Sequence, residues 1–544
     1  MTDVLTLVHW GDAPVPASWQ GPARRLESAS VAALDAALRA CTSEWILLWG
    51  ALAPVPSMET VRALQDAGVQ AGHGGLACGL GELLPDLYYA IQDWSMLNAP
   101  ATHASTSWRL SLDRCLVRRD VLEAVGGLDL AFASLAAAGL ELGHRLLMNG
   151  AVIEHRPELG SPPVAPVREV PREDLYTFVL RRYGLRWARY ILARRLLAAH
   201  APWSEALALR RARARCARAT RPALQQVAPP VAPRVTPAMD HTVSVIIPTL
   251  GRYPYLPEAL ESIRAQTIRP CEVVVVDQNP PESRQPAVYA GYDDLHLHVI
   301  WQDERGQSLA RNTALARVKG TFVFMFDDDS IAAPDLVERH LHALLHGQHD
   351  VSTGVAYPPP PESYVLPLAF QHPRLAQTLD TGNAMLSTEL ARRMGGLDRN
   401  YDFGPGTDTD FGTRLYLAGY RILHNPLAAR IHYKAPMGGL RVHGSVKYNT
   451  DRGLLDAFPP VTQAYYGLRY LSPRQRRERE MLMYVTSKLP PELRDPRASA
   501  THRLGALLRL ALLGVTLPLK RKRARARASA LLGSGVRTAV FETP

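Results

Sequence analysis

Short apolar runs alternate along the chain with longer stretches of helical periodicity. Val243-Ser244-Val245-Ile246-Ile247 is apolar at nearly every position and stops at Pro248-Thr249. A run of this length, rich in β-branched residues, reads as a strand buried on both faces. Residues 255–265 then carry a helical pattern, and residues 272–276 form a second strand that ends in Asp277. A longer loop leads to Arg305-Gly306-Gln307-Ser308, where glycine permits a tight turn before a helix. Residues 321–326 give a third strand that ends in Asp327-Asp328-Asp329. This order predicts an α/β unit with a largely parallel sheet.

Residues 1–160 mix strands, among them Trp45-Ile46-Leu47-Leu48-Trp49, with helices. An arginine-rich helical stretch follows at 172–221, then Val227-Ala228-Pro229-Pro230-Val231-Ala232-Pro233, which reads as a semi-rigid linker. From about residue 450 the chain is again helical and basic. The two globular segments resemble each other. Val125-Gly126-Gly127-Leu128-Asp129 matches Met394-Gly395-Gly396-Leu397-Asp398, and the register holds to Arg145 against Arg414, an offset of 269 residues. In the first copy Gly50, Ala51 and Leu52 stand where the second has Asp327, Asp328 and Asp329, and Gly139 stands for Asp408. The expected division is 1–160, a helical segment and linker at 161–240, 241–450, and a helical basic region at 451–544.

A chain of 544 residues, 47% hydrophobic and 21% charged, fits a soluble globular protein of two or three domains. Cys41, Cys78, Cys115, Cys216 and Cys271 are scattered, so neither a disulfide framework nor a zinc site is indicated. Met1-Thr2-Asp3 leads directly into a strand-like run without a secretory signal, and a cytoplasmic location is expected. The net charge of +11 is concentrated at 210–218 and 520–527, which favours an anionic partner. No nucleic-acid motif accompanies these runs, and nucleic acid is not expected. Residues 505–515 are apolar but too short to span a bilayer, so with the Lys520–Arg527 run they could lie on an anionic membrane or pack on the domain.

Three carboxylates at the end of a buried strand repel one another, and a divalent cation that takes oxygen ligands, Mg²⁺ or Mn²⁺, would neutralise them. An acidic turn capping the next helix is the alternative. Ligands of open α/β sheets bind beyond the carboxyl ends of the strands, so Thr249, Asp277 and Asp327 to Asp329 should converge on one crevice. Arg311 would reach a phosphate or ribose at the same edge. Asp410 and Arg414 are spaced for a structural ion pair on one helix.

Taken in order, Ile246-Ile247-Pro248-Thr249, Val276-Asp277, Arg305-Gly306 with Ala310-Arg311-Asn312, Phe326-Asp327-Asp328-Asp329 and Gly406-Thr407-Asp408-Thr409-Asp410 resemble the motif series of inverting family 2 glycosyltransferases. The resemblance is strong over 241–440 and weak over 1–160. It implies the GT-A fold twice, with a degenerate, non-catalytic first copy. It also implies transfer of a sugar from a nucleoside diphosphate donor, with Mn²⁺ or Mg²⁺, to a carbohydrate or lipid-linked hydroxyl in polysaccharide or glycolipid synthesis. By that resemblance Pro248, Thr249, Asp277, Arg311, Asp327 and Asp328 would bind the donor. Asp329, with Asp327 and His432, would hold the metal, and Asp408 would be the general base.

Overall fold

The structure is a computed structural model that describes residues 5–11, 15, 19, 21–50, 54–74, 97, 99–160, 170–227, 241–347, 349–367, 370–439, 457–488 and 499–541. Two mixed sheets organise it. The first contains β1 (Leu5–His9), β2 (Ala23–Arg25), β3 (Trp45–Trp49), β4 (Ala71–His73), β5 (Ser105–Thr106), β6 (Arg114–Arg118) and β7 (Ile153–His155), in the order β2-β1-β3-β6-β4-β7-β5. The second begins with β8 (Val243–Thr249), β9 (Glu272–Asp277), β10 (Leu297–Trp301) and β11 (Phe322–Phe326). It continues through β12 (Ser330–Ala332), β13 (Val351–Tyr357), β14 (Arg374–Ala376), β15 (Asn383–Ser387) and β16 (Ile422–His432). Its order is β10-β9-β8-β11-β15-β13-β16-β12, with β14 also on β16.

The two sheets share one wiring. β1 pairs in parallel with β2 and β3, as β8 does with β9 and β11. β6 runs antiparallel between β3 and β4, as β15 does between β11 and β13. The register repeats as well: Ala71 faces Val117 and Ile153, and Val351 faces Leu386 and Ile422. Ser105 opposite His155 corresponds to Arg374 opposite His424. The pairs Val117 and Leu386, Ile153 and Ile422, Ser105 and Arg374, and His155 and His424 keep the 269-residue offset seen in the sequence, whereas Ala71 and Val351 are 280 apart.

The helical stretches belong to the sheets they follow. Arg181, on the helix Arg172–Arg182, pairs with Asp129 at 2.7 Å, and Arg469, on the helix Val461–Tyr470, pairs with Asp398 at 3.0 Å. Arg145 bonds Glu141 and the Val125 carbonyl, while Arg414 bonds Asp410 and the Met394 carbonyl. After each helical set an extended segment returns to the Gly-Gly turn, through Gln225 N–H to the Ala124 carbonyl and Ala539 N–H to the Gly395 carbonyl. Val227 is buried, whereas the proline-rich run from Ala228 to Pro233 lies outside the described residues, as does Cys78.

In the second sheet Val243, Val245, Ile247, Phe324 and Phe326 face one helix layer, with Leu256 and Leu341. Ile246, Val274, Val276, Val323 and Met325 face the other, with Ala314 and Phe411. Burial on both faces explains why β8, β9 and β11 read as continuous apolar runs. Among the described residues no helix is long and apolar enough to cross a membrane.

Candidate active site

The parallel strands β8, β9 and β11 all end on one side of the sheet, beside a cleft of ≈ 480 Å³. Pro248 and Thr249 line it from β8, and the acidic turn enters it from β11. Asp327 receives hydrogen bonds from Arg311 Nη2 at 2.8 Å and Arg430 Nη1 at 2.9 Å. Burial opposes ionisation of Asp327, but these two guanidinium groups hold its carboxyl below the ordinary range. Asp329 is fully buried, and its Oδ2 accepts the Ala435 N–H at 2.9 Å. Its Oδ1 lies 3.3 Å from His432 Nε2 and 3.2 Å from Arg252 Nη1, with no hydrogen bond of good geometry.

Asp327, Asp329 and His432 each offer a ligand atom within 4.8 Å of the others. The buried, incompletely satisfied Asp329 Oδ1 and this set of two carboxylates and an imidazole fit a divalent cation such as Mn²⁺ or Mg²⁺. Asp328 also lines the cleft and accepts from Arg252 Nη1 at 2.9 Å. Burial, with the adjacent Asp329, pushes its carboxyl up to about 6 against the pull of Arg252.

Asp408 sits in the first turn of the helix Thr407–Leu417. Its Oδ1 accepts from Thr381 Oγ1 at 2.5 Å and from the Thr381 N–H at 3.3 Å. Burial and the neighbouring Asp380 push its carboxyl up to about 6. Asp408 and Asp380 also border a second cavity of ≈ 450 Å³, lined further by Tyr364, Phe370 and Gln377. Asp410 is committed elsewhere, to Arg414 at 3.0 Å, Arg469 at 2.6 Å and the Tyr470 hydroxyl at 2.8 Å. Thus Asp408 faces the cleft and Asp410 does not.

Asp277 does not line the cleft. Its Oδ2 accepts the hydroxyls of Tyr253 and Tyr289, each at 2.6 Å, and its Oδ1 accepts both the N–H and the amide of Asn279 at 2.8 Å. Asn279 and Tyr253 instead face an adjoining cavity of ≈ 560 Å³, together with Gln285 and Arg305. Sequence reasoning also passed over Arg252, Asp380, Thr381 and Arg430. Arg430 bridges Asp327 and Asp380, at 2.9 Å to each, and is almost fully buried. Its placement inside an apolar strand run was the one available signal, since a buried arginine needs acidic partners.

The corresponding region of the first copy is filled. Register equates Trp10 with Pro248 and Gly50 with Asp327. A Cβ at Gly50 would overlap the Trp10 indole, and one at Gly139 would lie 2.7 Å from the Leu110 carbonyl oxygen. Ala51 and Leu52 lie outside the described residues.

Residues 244–416 match the family model described as Glycosyl transferase family 2. Uncharacterized glycosyltransferase YwdF of Bacillus subtilis is 27% identical over 201 residues, covering 35% of this chain and 73% of its own length. Glucosyl-dolichyl phosphate glucuronosyltransferase of Haloferax volcanii is 35% identical over 116 residues, 21% of this chain and 37% of its own. Among solved structures, the mannosyltransferase PcManGT of Pyrobaculum calidifontis, in complex with GDP-Man and Mn²⁺, aligns at 21% identity over 57% of this chain and 83% of that chain, with a TM-score of 0.32.

Proposed function

We propose, from the match of residues 244–416 to the model of glycosyl transferase family 2, that residues 241–450 catalyse inverting sugar transfer from a nucleoside diphosphate sugar to a hydroxyl acceptor. The observation that carries this reading is the position of Asp408, at the junction of two cavities and on the same cleft as the cluster of Asp327, Asp329 and His432. Asp327, Asp329 and His432 would hold Mn²⁺ or Mg²⁺, which when bound supplies positive charge for a departing diphosphate. Arg252 and Lys434 add cationic side chains around the same space. Asp408 accepts the proton of the attacking hydroxyl, with Thr381 fixing one of its oxygens so that the other is free for the acceptor. The cavity bearing Tyr364 and Phe370 offers aromatic faces on the acceptor side. The pocket around Tyr253, Asn279 and Gln285 suits a nucleoside base, with Asp277 acting as the anchor that orients Tyr253 and Asn279.

In this proposal the acceptor is a carbohydrate or a lipid-linked sugar, in polysaccharide or glycolipid assembly peripheral to the inner face of a membrane. The name of the Haloferax relative, a glucuronosyltransferase acting on glucosyl-dolichyl phosphate, supports the lipid-linked option. The first repeat is a degenerate copy that serves as scaffold. Its filled cleft at Trp10 and Gly50 and its close contact at Gly139 support that role. Nucleotide release from a panel of UDP-, GDP- and dTDP-sugars, with Mn²⁺ and with chelator, tests the reading. Release with at least one donor that stops on chelation is expected, and silence across the panel would refute it.

A further inference from the structure

The helix Ala500–Gly533 buries one face and leaves the other bare. Ala506, Leu517, Lys520, Ala524 and Ala528 are buried on one side, where Leu517 packs with Phe458 and Tyr484. The opposite side carries Leu504, Leu508, Leu512, Val515 and Leu519, spaced by three and four residues and so aligned in one stripe. Exposure along the stripe ranges from 46% at Leu519 to 77% at Val515, and Leu507 flanks it at 50%. At 1.5 Å per residue the stripe runs for about 22 Å. Monomeric soluble proteins rarely leave so continuous an apolar surface uncovered.

The stripe runs into cations. Lys522 continues the same side of the helix and is exposed, as are Arg525 and Arg527. The basic run does not act as a block: Lys520 is buried, and Arg521 pairs with Glu480 at 2.5 Å, a partner that Arg525 also reaches at 3.3 Å. Residues 496–541 contain no Asp or Glu. A second copy of this face would therefore bring cations against cations. The corresponding helix of the first repeat, Pro202–Arg218, shows a shorter version of the pattern, with Trp203 at 89% exposure and Leu207 at 44%, followed by exposed Arg210 and Arg211.

We infer that the Leu504–Leu519 stripe seats in the headgroup and acyl boundary of an anionic lipid bilayer, with Lys522 and Arg527 on the lipid phosphates. The apolar face gains by leaving water and the cations gain from the negative surface, the combination that holds interfacial helices in place. Since the helix cannot span, it lies along the surface and carries the preceding domain with it. This inference rests on the tail helix and is independent of the transferase reading.

The test uses the full chain, without donor, in flotation with vesicles of phosphatidylcholine alone and of phosphatidylcholine mixed with phosphatidylglycerol. The chain is expected to float with the anionic vesicles, less so as salt rises, and to stay behind with the neutral ones. A triple variant, Leu508→Ser, Leu512→Ser and Val515→Ser, should bind roughly tenfold less with an unchanged circular dichroism spectrum, because all three side chains are exposed. The pair Lys522→Gln and Arg527→Gln should release at lower salt than the parent. Equal binding by the triple variant, no flotation of the parent at low salt, or a lipid-free dimer that the triple variant dissolves would each overturn the assignment.

Discussion

The Thr381 hydroxyl donates to Asp408 Oδ1 over 2.5 Å. Burial and Asp380 push the Asp408 carboxyl up to about 6, and the Thr381 bond works against them. A base must be ionised, so kcat/KM should fall as pH drops through about 6. A cation on the neighbouring cluster moves that limb to lower pH. Thr381→Val removes the opposing bond and should move it to higher pH. Parallel pH profiles of parent and variant check the direction, and an unmoved limb would detach Thr381 from the base.

Asp408→Asn should leave donor affinity intact in calorimetry and reduce kcat by roughly 10²-fold or more. It should also stabilise the fold. The carboxyl titrates higher in the native chain than its usual 3.8, so the native state binds the proton more tightly than the unfolded state. Ionising it therefore costs stability as pH rises between 3.8 and about 6, a cost that Asn never incurs. Thermal melts should show a gap in favour of the variant that widens across this range and then stays level.

Asp329→Ala should remove the support that Mn²⁺ gives to nucleoside diphosphate binding, because the cation loses a buried carboxylate ligand. Asp329 also accepts the Ala435 N–H, so His432→Ala serves as the companion that leaves this backbone contact in place. Calorimetric titrations with and without Mn²⁺ separate the two effects. Equal Mn²⁺ dependence in parent and both variants would place the ion elsewhere.

Among the described residues, Arg430 is the one buried cation tied to both Asp327 and Asp380. Removing one partner of a buried ion pair leaves the other uncompensated, which typically costs ~3–5 kcal/mol. Arg430→Met should lose stability on that scale in urea unfolding. Added Mn²⁺ should restore part of it, since a cation on the cluster would neutralise the same Asp327.

Much of this was legible in the sequence, for reasons that differ by residue. The acidic turn could be placed because β11 is an unbroken apolar run and the chain must turn after Phe326. The repeat could be read because the Gly-Gly-Leu-Asp turns keep the same 269-residue spacing as β6 with β15 and β7 with β16. Asp277 could be put at a strand end, yet nothing local told that Tyr253 and Tyr289, from two separate loops, would close over it. Arg252 escaped for the same reason, since it meets Asp328 across 76 residues of chain. The basic run at 520–527 looked uniform because Glu480, which engages two of its arginines, lies on another helix. Likewise the helices at 172–218 read as a connecting segment because Arg181 meets Asp129 across 52 residues of chain.

The first repeat supplies the last expectation. Gly139 occupies the place of Asp408, and a replacement there looks harmless if the copy is inert. A methyl group at Gly139 would nevertheless lie 2.7 Å from the Leu110 carbonyl oxygen, a backbone atom that cannot move aside cheaply. Overpacking of this kind costs about 1–3 kcal/mol. Gly139→Ala should therefore lower the melting temperature while turnover per folded molecule stays at the parental value. Trp10→Ala should behave alike, with a loss of roughly 3–5 kcal/mol for the emptied space beside Gly50 and no gain of donor binding in the first copy. A change in turnover per folded molecule in either variant would show that the first repeat takes part in the reaction.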